Sequence, residues 1–176
     1  MHGRGRILVV NGVSNAGKST LREWLVETLH FRSIDCDDVT GRSTIDGLGL
    51  RVQWTSAEYG NPEPFIHELA RRDGDWVMDW PYNPPDSFSI VSALQGLGVC
   101  PWWLDADLER ARQSFLDRAR GELSEFDDHA ASIRVHRVVI QAVYGPRVLL
   151  TLDGTGARTP PQEIWSAICR MERWAW

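Results

Sequence analysis

Apolar positions in this chain switch between two periods. Arg6-Ile7-Leu8-Val9-Val10-Asn11 is a short, nearly unbroken apolar run, the pattern of a parallel strand buried on both faces. From Ser19 to Leu29 the period lengthens, with Leu21, Trp24, Leu25 and Leu29 at helical spacing. Phe31 to Cys36 predicts a second strand ending in acids. Residues 39 to 60, rich in glycine and polar side chains, predict a mobile segment with some helix. Pro62 to Arg72 predicts a helix with Phe65, Ile66, Leu69 and Ala70 on one face, and Asp75 to Asp79 a third strand. Pro81 to Pro85 is a loop, after which Asp86 or Ser87 caps a helix running to about Leu97. Val99 to Leu104 is a fourth strand and residues 107 to 120 an arginine-rich helix. A break over Gly121 to Asp128 then precedes a helix over about 128 to 143. Arg147 to Leu152 is a fifth strand, and Pro160-Pro161 opens a last helix with Ile164, Trp165, Ile168 and Met171 at helical spacing.

Strands alternate with helices throughout, which predicts an α/β fold: a five-stranded parallel sheet with helices on both faces, in one domain over residues 1–176. Ligands of such sheets bind at the carboxyl ends of the strands. The residues to inspect are therefore those just after each strand.

After the first strand comes Gly12-Val13-Ser14-Asn15-Ala16-Gly17-Lys18-Ser19, matching GxxxxGK[S/T] between a strand and a helix. Gly12 and Gly17 let the backbone curl, so that the N–H groups around Asn15, Ala16 and Thr20 can face one phosphate at a helix N-terminus. Lys18 is the only lysine among 19 basic residues. A compact ammonium on a flexible stem reaches between β- and γ-phosphates where a planar guanidinium does not fit. The pattern predicts ATP as the bound nucleotide, with Ser19 offering its hydroxyl to Mg²⁺. The sequence leaves GTP open as an alternative. Asp79 ends the apolar third strand and is the second candidate Mg²⁺ residue, of the Walker B kind.

Asp35-Cys36-Asp37-Asp38, after the second strand, resembles the acid pair of small P-loop kinases that phosphorylate a hydroxyl, such as gluconate kinase, adenylylsulfate kinase and polynucleotide kinase; chloramphenicol phosphotransferase, of the same group, has a single Asp there. The resemblance implies a three-layer P-loop fold with an arginine-bearing lid over about 112–128. It also implies that Asp37 contacts the acceptor hydroxyl, and a carboxylate there would orient the hydroxyl and take its proton. Asp35 is a second candidate on the substrate side. Lid residues Arg118 and Arg120, then Arg112, are expected to reach the phosphates and stabilise charge on the transferring group. Asp105 and Asp107 are read as structural or helix-capping residues. The loop Asp153-Gly154-Thr155-Gly156 is placed beside the adenine by the same resemblance. Departures exist: thymidylate kinases carry Asp-Arg-Tyr or Asp-Arg-His where this chain has Asp79-Trp80-Pro81, and the spacing from Asp105 to Arg118 is longer than in polynucleotide kinase.

Residues 39 to 60 and 80 to 88 are expected to build the acceptor pocket, with Trp54 and Trp80 as aromatic walls and Arg42 or Arg51 available to an anionic acceptor. His67, His129 and His136 show no metal-ligand spacing and read as ordinary core or surface histidines. A net charge of −5 speaks against a nucleic-acid groove or an anionic membrane as partner. Cys36, Cys100 and Cys169 show neither metal nor disulfide spacing, which points to a reducing cytoplasm. The aromatic tail with Trp174 and Trp176 docks on the domain itself or on a second subunit of a homodimer. The leading expectation is an ATP-dependent kinase of a small-molecule hydroxyl. A nucleotide kinase or polynucleotide 5′-hydroxyl kinase is the alternative. A nucleotide-dependent switch is a further one, set back because the NKxD base-reading motif needs a second lysine; a non-catalytic nucleotide-binding module is another.

Overall fold

In a computed structural model, residues 5–36, 44–79, 84, 87–118 and 122–174 are described. They form β1 (Ile7–Gly12), α1 (Lys18–Leu29), β2 (Arg32–Asp35), α2 (Thr44–Gly47), α3 (Arg51–Glu58), α4 (Glu63–Ala70), β3 (Trp76–Asp79), α5 (Ser87–Gly96), β4 (Cys100–Ala106), α6 (Leu108–Arg118), α7 (Leu123–Tyr144), a short 3₁₀ turn (Gly145–Arg147), β5 (Val148–Leu152) and α8 (Pro161–Glu172). All five strands are parallel, in the order β2-β3-β1-β4-β5. The chain thus crosses from one side of β1 to the other between β3 and β4, which opens the crevice at the carboxyl end of β1.

Burial explains why the strand patterns could be read. Every residue of β1 and β3 is buried, as expected for strands covered on both faces. Trp102 and Trp103 of β4 are both fully buried and alternate across the sheet; Trp103 packs on Tyr144 of α7, ring centroids 5.5 Å apart. Helix α1 packs on α8 and α5 on α7, and each pair lies against the sheet.

Two expectations need correction. The helix expected over about 128 to 143 starts at Leu123 and runs to Tyr144. Phe126, Ala130, Ile133 and Ile140 form one buried stripe, and Phe126 packs on Phe115 of α6 with ring centroids 5.4 Å apart. This tertiary contact extends the helix through a run whose acidic residues read as a break. The described part of residues 39 to 60 is also not a loose segment: Ile45, Leu50, Trp54 and Ala57 are buried, and α3 packs on α4.

Candidate active site

The loop between β1 and α1 owes its shape to a few forced positions. Gly12 has φ +134°, and a Cβ there would meet the Leu104 carbonyl oxygen at 2.0 Å. Only glycine lets β1 run this close to β4 before the chain turns. Val13 N–H then donates to Leu104 O at 3.0 Å, and Ala16 N–H to Val13 O at 3.1 Å. Gly17 caps α1 in the left-handed region, at φ 96°, without a side-chain cap. A Cβ at Gly17 would meet no atom within 4 Å, so the space beside the chain at the N-terminus of α1 is open. Lys18 Nζ lies 3.2 Å from both Gly12 O and Val13 O and donates to them.

Anchors from across the sheet hold this loop. Thr151 of β5, 2 % exposed, donates its hydroxyl to Ala16 O at 2.6 Å and approaches Asp105 O at 3.0 Å. Arg158 donates to Asn15 O at 2.8 Å and to Ser114 Oγ at 2.8 Å. Arg118 donates to Asn15 Oδ1 at 3.1 Å, with Asn15 itself at φ 64°. Two arginines therefore converge on one loop residue, and neither forms a salt bridge among the described residues. Burial and the neighbouring Arg118 charge lower the Arg158 pKa from its ordinary value.

At the end of β3, Asp79 is 2 % exposed and accepts the Ser19 hydroxyl at Oδ2, 3.1 Å away. Its Oδ1 is buried with no hydrogen-bond partner among the described residues. Burial pushes the Asp79 carboxyl above its ordinary range, with the Lys18 and Arg22 charges pulling the other way. A buried carboxylate oxygen lacking a partner, beside a serine hydroxyl and an open phosphate cradle, is the donor set that Mg²⁺ takes when it shares phosphates and keeps its waters. The Ser19 and Asp79 pairing thus fits the metal expected there. Parallel pairing of β2 with β3 places Asp35 level with Asp79. Asp35 forms an ion pair with Arg22 of α1, and the Cys36 N–H donates to Asp79 O at 3.1 Å.

The other expected site residues divide. Asp37, Arg42, Trp80 and Arg120 lie outside the described residues. Thr20 sits exposed in the first turn of α1. Arg112 pairs with Asp127 at 2.8 Å, tying α6 to α7, rather than joining Arg118 on the loop. Trp54, expected in a pocket wall, is 4 % exposed and packs edge-on to Phe65 at 5.3 Å; it is core, because α3 buries it against α4. Arg51 pairs with Asp46 at 2.6 Å. Asp105 is buried and bound by Arg137 at 2.6 Å, and Asp107 accepts the Arg110 N–H at 3.0 Å, both structural as expected. The loop after β5 folds on itself: Asp153 Oδ1 accepts from the Thr155 N–H and hydroxyl, while Gly154 O accepts from Arg110 Nε at 2.9 Å.

The periodicity did not identify three residues at this site: Thr151, Arg158 and His129. Thr151 lay inside an ordinary strand pattern, and Arg158 was one arginine among eighteen. His129, read as an ordinary histidine, projects from α7 to place Nδ1 3.3 Å from Ser14 Oγ in the loop. Burial, with the Lys18 charge adding to it, lowers its pKa to about 4, so the ring is neutral at physiological pH. Its position directly after the acidic pair Asp127-Asp128 carried no signal of this contact.

No protein-family model matches the chain, and no curated protein sequence matches it. Solved structures do. A shikimate kinase from Bacteroides thetaiotaomicron superposes with a TM-score of 0.54 at 15% identity, covering 96% of each chain. A gluconokinase from Sinorhizobium meliloti gives a TM-score of 0.52 at 16% identity, covering 97% of this chain and 94% of that one. At such identity the likeness establishes the fold. With the geometry above, the chain has a three-layer P-loop α/β architecture built on a five-stranded parallel sheet.

Proposed function

We propose that this protein is an ATP-dependent kinase that transfers the γ-phosphoryl group to a hydroxyl of a small molecule. The observation that carries this is the juxtaposition of Lys18, the open cradle at Gly17, and the Ser19–Asp79 pair at one end of the sheet. The two structural neighbours named above are, by name, a shikimate kinase and a gluconokinase, which supports the same chemistry on this fold.

Each residue has a separable task. The loop amides and Lys18 bind and orient the phosphates, and the rigid anchors at Thr151 and Arg158 keep the loop in that shape without reorganisation. Ser19 and Asp79 would hold Mg²⁺, which supplies charge neutralisation on the phosphate oxygens. Arg118, bonded to Asn15 in the loop, is assigned to stabilise charge that develops on the transferring group. The acceptor enters from the β2–β3 side, where Cys36, the last described residue before Asp37, is tied to Asp79 O. In this mechanism Asp37 orients the acceptor hydroxyl and takes its proton as the oxygen attacks phosphorus in line and the ADP oxygen leaves. Asp35, committed to Arg22, steadies that edge rather than reacting.

Comparing wild type with Asp37→Asn tests this assignment. Transfer from MgATP to a confirmed acceptor should fall by on the order of 100- to 10,000-fold, while MgATP affinity stays near that of wild type. Undiminished transfer by the variant would remove Asp37 as the base.

A further inference from the structure

His129 is placed where neither fold nor motif requires a histidine. Helix α7 leaves the lid tied to α6 by the Asp127–Arg112 pair at 2.8 Å and by Phe126 on Phe115. One turn further on, Ser132 donates its hydroxyl to Pro84 O at 2.6 Å, in the segment that follows β3. Between these two tethers, His129 presents Nδ1 to the Ser14 hydroxyl at 3.3 Å. The imidazole therefore leaves α7 between its tether to α6 and its tether to Pro84, and meets the phosphate loop at Ser14. Its Nε2 is buried with no hydrogen-bond partner among the described residues. A buried donor left without a partner costs about 1–3 kcal/mol, so it is kept where a ligand supplies the acceptor.

We propose that His129 contacts the terminal phosphate: Ser14 donates its hydroxyl to Nδ1, which fixes the proton on Nε2, and Nε2–H donates to an oxygen of the γ-phosphoryl group. The proposal rests on the triphosphate site described above. The contact with Ser14 sets the ring against the loop whose Lys18 is assigned to the β- and γ-phosphates. A neutral ring suits this place. It donates one hydrogen bond to the phosphoryl oxygen without adding a second full positive charge beside Lys18.

Titration calorimetry of the full chain with MgATP and MgADP, for wild type, His129→Gln and His129→Asn, tests the assignment. A glutamine amide reaches the position of Nε2, whereas an asparagine amide reaches that of Nδ1 and leaves the outer position without a donor. The expected result is a loss of about tenfold in MgATP affinity for His129→Asn, with His129→Gln within about threefold of wild type and MgADP changed by less than about threefold in both. If His129→Gln loses as much as His129→Asn, or His129→Asn binds MgATP like wild type, the ring only braces Ser14 and the proposal is overturned. An equal loss for MgADP overturns the terminal-phosphate contact. Wild type that binds neither nucleotide refutes the triphosphate site itself, a separate failure. Should a variant not fold, ¹⁵N imidazole spectra of wild type decide: the Nε2 resonance should move on saturation with MgATP and stay within its free position with MgADP, and an unmoved resonance overturns the proposal.

Discussion

Ser19 donates its hydroxyl to Asp79 across 3.1 Å, joining the second residue of α1 to the last residue of β3. The bond sets the two groups proposed to hold Mg²⁺ side by side, and it leaves Asp79 Oδ1 buried without a partner among the described residues. Asp79→Asn should therefore have opposite effects on activity and stability. Phosphoryl transfer should drop by on the order of 100-fold, with the Mg²⁺ dependence of nucleotide binding weakened. The thermal midpoint at neutral pH should rise, because a desolvated charge is removed. The sign follows from a folded-state pKa raised above the ordinary 3.8: the stability this carboxyl contributes is full below that value and declines as pH rises through the folded pKa. Calorimetric melting of wild type and variant at neutral pH checks it, and a lowered midpoint for the variant would contradict the desolvation argument.

Arg118 and Arg158 both bind Asn15, one at its side chain and one at its carbonyl, yet they should fail differently. Arg158 is a loop brace, so Arg158→Ala should raise KM for ATP about tenfold with a smaller effect on kcat. Arg118 is the arginine proposed to meet developing charge, so Arg118→Ala should lower kcat by on the order of 100-fold with KM little changed. Steady-state kinetics at saturating acceptor separate the two. An identical pattern for both variants would mean that both arginines merely shape the loop.

His129 gives stability a pH dependence that can be read without substrate. Its folded pKa of about 4 lies below the ordinary 6.5 because the ring is buried and faces the Lys18 charge. A depressed pKa means that the unfolded chain binds more protons in this window. Its contribution is therefore full above about pH 6.5 and is lost as pH falls toward about 4. The difference in thermal midpoint between wild type and His129→Gln should shrink over that interval. A difference independent of pH would show that the imidazole does not titrate as described.

Much of this architecture was legible because strands buried on both faces leave unbroken apolar runs, as at Ile7–Val10 and Trp76–Met78. The glycine-lysine motif was legible because close approach to Leu104 forces glycine at position 12 and a left-handed turn favours it at position 17. Asp79 could be found as the acid that ends a strand. Thr151, Arg158 and His129 could not, since each acts on the loop from 100 residues away or more and follows no local period. Trp54 was misplaced for a related reason: an aromatic ring suits a pocket wall or a core equally, and only the packing of α3 on α4 decides.

Far from the site, Arg6 forms an ion pair with Asp75 and lies over Phe31, Trp165 and Trp174 at 5.3, 5.4 and 5.7 Å. The cluster ties the start of β1 to Trp165 of α8 and to Trp174, two residues beyond the helix end. With each cation–π contact contributing about 0.5–1 kcal/mol, Arg6→Ala should destabilise the domain by about 2 kcal/mol and lower the thermal midpoint by about 4–8 °C. MgATP affinity at 25 °C should stay unchanged. A large affinity loss in the folded variant would mean that this end of the sheet is coupled to the phosphate loop.

The central claim is that Lys18 and its loop deliver a γ-phosphoryl group to a small hydroxyl compound. Mass spectrometry of wild type and Lys18→Ala, each incubated with MgATP and a pool of antibiotics, nucleosides, nucleotides, sugars and a short oligonucleotide, tests it most directly. Wild type should add one phosphoryl group to a small-molecule member of the pool, and Lys18→Ala should add none. If only the oligonucleotide gains phosphate, or the variant transfers as well as wild type, the account is contradicted.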